Sequence, residues 1–190
     1  MLSLKKINDD STIGILDLKT FSLNKINLTR REIEKAGSKW VIEHLLNSTA
    51  FELLYTPENK PFLNNRTEHI SISHSYDKLA IIINKKAVSG IDIELIWNKV
   101  LKIKHKYLNE HELNFANNDV EKLITYWSSK ETLFKLYGLK NIDFIKNLFV
   151  EDFLNNTFYG RIEIGKKKTR YLLNKEKIEN YILVYSIDEV

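Results

Sequence analysis

At 190 residues the chain suits one domain or two tightly joined halves, and folding at this size buries about 70% of the surface of the unfolded chain, enough for a core without staples. A composition of 43% hydrophobic and 28% charged residues excludes a disordered chain, and no apolar run approaches the roughly 20 residues of a transmembrane helix. Zero cysteines exclude disulfides, thiol catalysis and thiolate metal sites, while 29 basic against 25 acidic residues leave a net charge of +4, which attracts an acidic partner but is too mild to imply nucleic acid.

In chain order, the opening MLSLKKINDD lacks the apolar region of a secretory signal, so a cytoplasmic protein is expected. Thr29 followed three residues later by Glu32 reads as a capping box, and Ile33, Ala36, Gly37, Trp40, Val41, His44 and Leu45 continue at helical spacing to about Leu46. Arg31, Lys35 and Lys39 lie four apart and form a basic stripe, read alone as an ordinary solvated face. The following FELLYTPENKPFLNN is rich in turn residues and reads as an irregular exposed connection. From residue 68 the period becomes two: Ile70 and Ile72 face one way, Ser71, Ser73 and Ser75 the other. Leu79 to Asn84 suits a buried strand, and a turn at Lys85-Lys86 would lead into a strand over 88–95, completing an antiparallel meander. A polar stretch over 99–118 reads as helix plus loop. A strong helix then carries Val120, Leu123, Ile124, Trp127, Phe134 and Tyr137 and stops at Gly138. FYGRIEI, TRYLL and YILVYSI read as closing strands. The helix-then-strands order occurs twice, which predicts an α+β fold of two similar halves, 1–98 and 99–190, meeting as one compact unit.

Three places could carry chemistry. In Gly90-Ile91-Asp92-Ile93-Glu94 both carboxylates share one face, where they could share a hard cation, although any amphipathic strand with a wet face has this pattern. In Trp127-Ser-Ser-Lys-Glu131-Thr-Leu-Phe-Lys135, Glu131 and Lys135 have the spacing of a helical ion pair, yet Glu131 follows the apolar stripe, where an acid needs a cation or hydrogen-bond donors. His74 has the parity of the buried isoleucines, which suits a satisfied strand-end histidine; flanked by Ser73 and Ser75, it is also suited to donating hydrogen bonds to a phosphate.

Taken together and in this order, SISHS at 71–75, GIDIE at 90–94 and WSSKETLFK at 127–135 resemble the three motifs of the 4′-phosphopantetheinyl transferase superfamily, in its longer, surfactin-synthetase-activating (Sfp-like) form. The likeness spans about residues 29–187 and implies an intramolecular pseudo-dimer in which each half packs a small, mainly antiparallel sheet on a long helix, with the active site between the halves. It implies transfer of phosphopantetheine from coenzyme A to a serine of an acyl or peptidyl carrier protein serving fatty-acid, polyketide or nonribosomal-peptide synthesis, releasing adenosine 3′,5′-bisphosphate. A cytoplasmic monomer with no nucleic-acid or membrane partner is expected. The alternative is a non-catalytic relative that only binds coenzyme A or the carrier.

By the same resemblance, Asp92 and Glu131, with Glu94 as third carboxylate, match magnesium ligands, so Mg²⁺ is the implied cofactor. Lys135 matches the lysine that contacts the pyrophosphate, and the base that activates the serine is Glu131 or Glu94. Ser73 and His74 match the group that holds the coenzyme A phosphates, Lys60 the lysine of a G-K-P loop, and Lys39 a residue gripping the 3′-phosphate, with Arg31 and Lys35 as helpers. Two residues depart from the pattern. Asn59 stands where the loop glycine is usual, though Asn tolerates a left-handed turn, and Lys39 in place of arginine keeps the charge without the bidentate fork.

Overall fold

The computed structural model describes residues 1–22 and 28–190, which form a mixed α+β architecture. It opens with an antiparallel hairpin that has no counterpart among the expected elements, β1 (Leu2–Lys6) and β2 (Ser11–Asp17), followed by a short helix α1 (Leu18–Ser22). Helix α2 (Arg30–Leu46) starts where its capping box predicts, with the Thr29 amide donating to Glu32 Oε2 at 2.7 Å, and ends at Asn47 in the left-handed region (φ 48°).

Residues 51–65, expected to be irregular, instead form a hairpin of β3 (Glu52–Tyr55) and β4 (Pro61–Asn64). The turn residues that suggested a loop occupy only its tip, where Asn59 takes a φ of 66° and the Thr56 amide bonds to the Lys60 carbonyl at 2.9 Å. Strands β5 (His69–Ser75) and β6 (Lys78–Asn84) follow as expected, and the first sheet runs β1-β2-β6-β5.

The expected three-strand meander does not form. Strand β7 (Gly90–Leu95) leaves β6 and joins the second sheet as an edge strand. The chain then runs through α3 (Val100–Ile103), a single 3-10 turn (Lys104–Lys106), α4 (Glu110–Ala116) and the long α5 (Val120–Tyr137), which Gly138 closes at φ 70°. Strands β8 (Leu148–Val150), β9 (Thr157–Ile164), β10 (Lys167–Ile178) and β11 (Tyr181–Ser186) complete a sheet ordered β7-β11-β10-β9-β8. Among the described residues no helix is long and apolar enough to cross a membrane.

Period-two patterning explains the layers. On β6, Leu79, Ile81 and Ile83 pack with Val41 and Ile42 of α2, while Ala80 and Ile82 point the other way and meet Ile91 and Ile93 of β7 and Tyr181, Leu183 and Tyr185 of β11. A further core lies between α5 and the second sheet, where Leu123 and Leu133 pack with Leu173, Ile182 and Val184. The isoleucines of GIDIE thus join the two sheets, which leaves Asp92 and Glu94 facing the opposite way, toward α5.

At Gly90 α5 comes close to β7: a Cβ there would sit 2.6 Å from the Thr132 carbonyl oxygen and 2.9 Å from Leu136 Cγ. Backbone cannot yield as a flexible side chain can. Gly90→Ala is therefore expected to destabilise the fold by about 1–3 kcal/mol, the usual cost of overpacking a core. Urea unfolding checks this, and an unchanged midpoint would contradict the close approach.

Candidate functional site

The site begins with alternate serines of β5. As an edge strand, β7 has amides that β11 does not bond, and the serine hydroxyls accept from them: Ile91 N–H to Ser71 at 3.2 Å, Ile93 N–H to Ser73 at 3.3 Å and Leu95 N–H to Ser75 at 3.3 Å. Two of these hydroxyls also donate, Ser73 to Asp92 Oδ1 at 2.8 Å and Ser75 to Glu94 Oε2 at 2.8 Å. Each such hydroxyl is used in both directions, which satisfies a buried amide and a carboxylate with one small side chain.

Helix α5 closes the other side with small residues. Ser128 Oγ donates to the Asp92 carbonyl at 3.2 Å and Thr132 Oγ1 to the Val184 carbonyl at 3.1 Å, pinning the helix to β7 and β11. From the same helix, Lys135 Nζ donates to the Ile91 carbonyl and to Asp92 Oδ1, both at 2.8 Å, and Trp127 Nε1 donates to Glu94 Oε1 at 3.1 Å. Lys135 thus pairs with Asp92 rather than forming the helical ion pair with Glu131 that the spacing allows. Asp92 is only 3% exposed, and its second oxygen, Oδ2, is buried without a hydrogen-bond partner among the described residues.

Glu131 turns toward an adjoining cleft of about 300 Å³, lined also by Lys60 and Asn59 of the β3–β4 turn, Ile70 and Ser71 of β5, and Phe134, Lys135, Leu139 and Lys140. Burial, with the neighbouring Asp92 and Glu94 carboxylates against it, pushes Glu131 up to about 7; burial and Asp92 likewise push Glu94 up to about 7. Also lining the cleft, Lys60 lies over Gly138, where a Cβ would meet its Nζ at 2.8 Å, and burial lowers its pKa. Among the described residues Lys60 forms no salt bridge, so the cleft presents a half-buried ammonium suited to an anion.

The expected Mg²⁺ site of Asp92, Glu94 and Glu131 is corrected by the structure. Among the described residues no group of three or more His, Cys, Asp or Glu side chains is disposed to hold a metal ion. The acids are dispersed among different partners: Asp92 Oδ1 accepts from Ser73 and Lys135, both Glu94 oxygens accept from Ser75 and Trp127, and Glu131 faces the cleft.

The structure brings Ser73, Asp92, Glu94, Glu131, Lys135 and Lys60 together around one cleft and its wall. It does not bring His74 there. By its parity His74 lies on the α2 side of β5, with Nδ1 3.4 Å from Glu34 Oε1. Arg31, Lys35 and Lys39 are exposed on α2 and do not line the cleft. Two features escaped the sequence reading. Trp127 as the donor to Glu94 left no local signal, but Lys130, three residues on along the apolar stripe of α5, did: a charge on that stripe must find a buried partner, here Glu112 at 2.7 Å.

No protein-family model matches the chain, and a search of curated proteins finds no match either.

The raised carboxyls make stability depend on pH. Between the ordinary value of 4.5 and about 7, the folded state keeps the Glu131 proton that the unfolded chain has released, so stability falls as pH rises through that window. Glu131→Gln removes that contribution. The variant should gain on the wild type steadily as pH rises from 4.5 to about 7 and hold the advantage above it, and urea unfolding across that range tests this. A stability difference independent of pH would sink the assignment.

Proposed function

We propose that the protein transfers the 4′-phosphopantetheine group of coenzyme A to a serine hydroxyl of an apo acyl or peptidyl carrier protein. The observation that carries this reading is the meeting of SISHS, GIDIE and WSSKE: Ser73 and Lys135 both bond Asp92 Oδ1 at 2.8 Å, and the adjoining cleft holds Lys60, Lys135 and Lys140. A pyrophosphate brings charge that such a cleft must offset with cationic donors. Lys60 supports the reading most directly, because it is half-buried and, among the described residues, without a salt bridge.

In the proposed reaction the serine oxygen bonds to the phosphorus nearer the pantetheine arm as that phosphorus loses its bond to the bridging oxygen, which departs with the second phosphate. The serine proton passes to Glu131, and adenosine 3′,5′-bisphosphate leaves. Glu131 is preferred to Glu94 as the base because it lines the cleft, whereas both Glu94 oxygens already accept hydrogen bonds. A carboxyl pushed up to about 7 also suits proton abstraction near neutrality. Lys60 and Lys135 counter the charge that develops on the transferring phosphate.

The reading includes a pseudo-dimer of residues 1–98 and 99–190. It is supported by the packing of one long helix on each sheet, α2 on the first and α5 on the second, with β7 crossing from one half to the sheet of the other. The protein is taken to be a cytoplasmic monomer.

Intact-mass spectrometry of a panel of apo carrier proteins, incubated with the protein and coenzyme A in a buffer of cytoplasmic ionic composition, tests the reading. The expected result is a gain of one phosphopantetheine group on at least one carrier. Glu131→Gln should slow that gain by about 10²–10⁴-fold, the usual worth of a general base, and Lys60→Ala should chiefly raise the KM for coenzyme A. Coenzyme A binding without transfer to any carrier would replace transfer with binding alone; absence of both would defeat the family reading.

A further inference from the structure

The most deeply buried charge among the described residues precedes Glu131 by one position and plays no part in the cleft. Lys130 is 0% exposed, and its ammonium donates to the Tyr107 carbonyl at 2.7 Å, Glu112 Oε2 at 2.7 Å and the Phe144 carbonyl at 2.8 Å. Glu112, 1% exposed, is equally occupied: Oε2 also accepts from the Asn109 amide at 3.0 Å, and Oε1 accepts from the Val150 amide at 3.1 Å. A buried ion pair seldom adds stability over an apolar pair of the same volume, so its value is sought in what it positions.

The two residues whose carbonyls Lys130 holds are the two whose rings flank Trp127. Tyr107 meets the indole edge-on at 5.0 Å and 72°, and Phe144 stacks against it at 5.8 Å and 27°. Tyr107 is fixed at its other end as well, its hydroxyl donating to the Leu123 carbonyl at 3.1 Å. The indole held between these rings is the one whose Nε1–H reaches Glu94 Oε1 at 3.1 Å.

We propose that Lys130 and Glu112 are positioning residues: by fixing Tyr107 and Phe144 they hold the Trp127 indole in the orientation that keeps the Glu94 carboxylate in place beside Asp92 and Glu131. Neither Lys130 nor Glu112 touches the cleft. They act through packed rings and one hydrogen bond. A contiguous set of contacts is not by itself proof of coupling, so the test measures coupling directly.

Two variants are compared. Lys130→Met/Glu112→Gln removes both charges together and so avoids leaving one buried alone. Trp127→Phe keeps a ring between Tyr107 and Phe144 and deletes the N–H. The first readout is hydrogen exchange of the Trp127 indole N–H by NMR, its resonance assigned by its loss in Trp127→Phe. Exchange should be about tenfold faster in the charge-pair variant, as expected for a lost hydrogen bond to a charged group. The second readout is kcat in the transfer assay, and only this arm rests on the proposed function. Each variant should lose about tenfold, and the combined triple variant no more than either, because both break one chain of contacts.

Unchanged indole exchange in a folded charge-pair variant, or kcat losses that multiply, overturns the proposal. Should that variant not fold, Phe144→Leu strips one flanking ring while leaving its backbone carbonyl to Lys130, and unchanged exchange there overturns the proposal equally. A wild-type protein without transfer activity would defeat the proposed function and leave the exchange result standing.

Discussion

One seam of hydroxyls decides where the chemistry-bearing residues sit. The first sheet ends in β5 and the second in β7, and an edge strand buried without partners would leave its amides unsatisfied. Ser71, Ser73 and Ser75 supply acceptors to Ile91, Ile93 and Leu95, so the sheets join through side chains instead of a backbone ladder. Larger residues on that face of β5 would hold the strands apart. Because the serines are small, Ile91 and Ile93 pack between the sheets, and the carboxylates between them are carried to the foot of α5.

That placement gives the acids different surroundings. Asp92 is neutralised by Lys135 and bonded by Ser73, so its charge is met by the protein itself. Glu94 is held at both oxygens, by Ser75 and Trp127. Glu131 lines the cleft, and burial with the neighbouring carboxylates favours its proton, as burial and Asp92 do for Glu94. Lys60 of the β3–β4 turn brings to the same cleft an ammonium that forms no salt bridge among the described residues. The cleft is therefore lined by a carboxyl that favours its proton and by an ammonium.

Local signals in the sequence were enough for much of the fold. The capping box at Thr29, the stop at Gly138, the period-two run of β5 and the continuous apolar run of β6 placed α2, α5 and these strands, because each depends on neighbours within a turn or a strand. Parity alone put His74 on the isoleucine side of β5, away from the serines, and there it meets α2. Where turn residues were numerous the reading went astray: between β3 and β4 they mark the tip of a hairpin whose pairing depends on apolar contacts across it.

The sequence by itself determined which side chains share a face: the serines on one side of β5, the acids on one side of β7, Trp127, Lys130 and Glu131 around one turn of α5. Only the tertiary structure decided which faces meet. Nothing near Gly90 says that β7 will pair with β11, some ninety residues later in register, rather than with β6 beside it. Nothing near Lys135 says that it will reach across to Asp92 rather than back to Glu131. Periodicity fixes direction within an element because backbone geometry is local. Partners across elements are chosen by burial and by the need to satisfy every buried amide and charge, which the chain resolves only when all of its elements pack together.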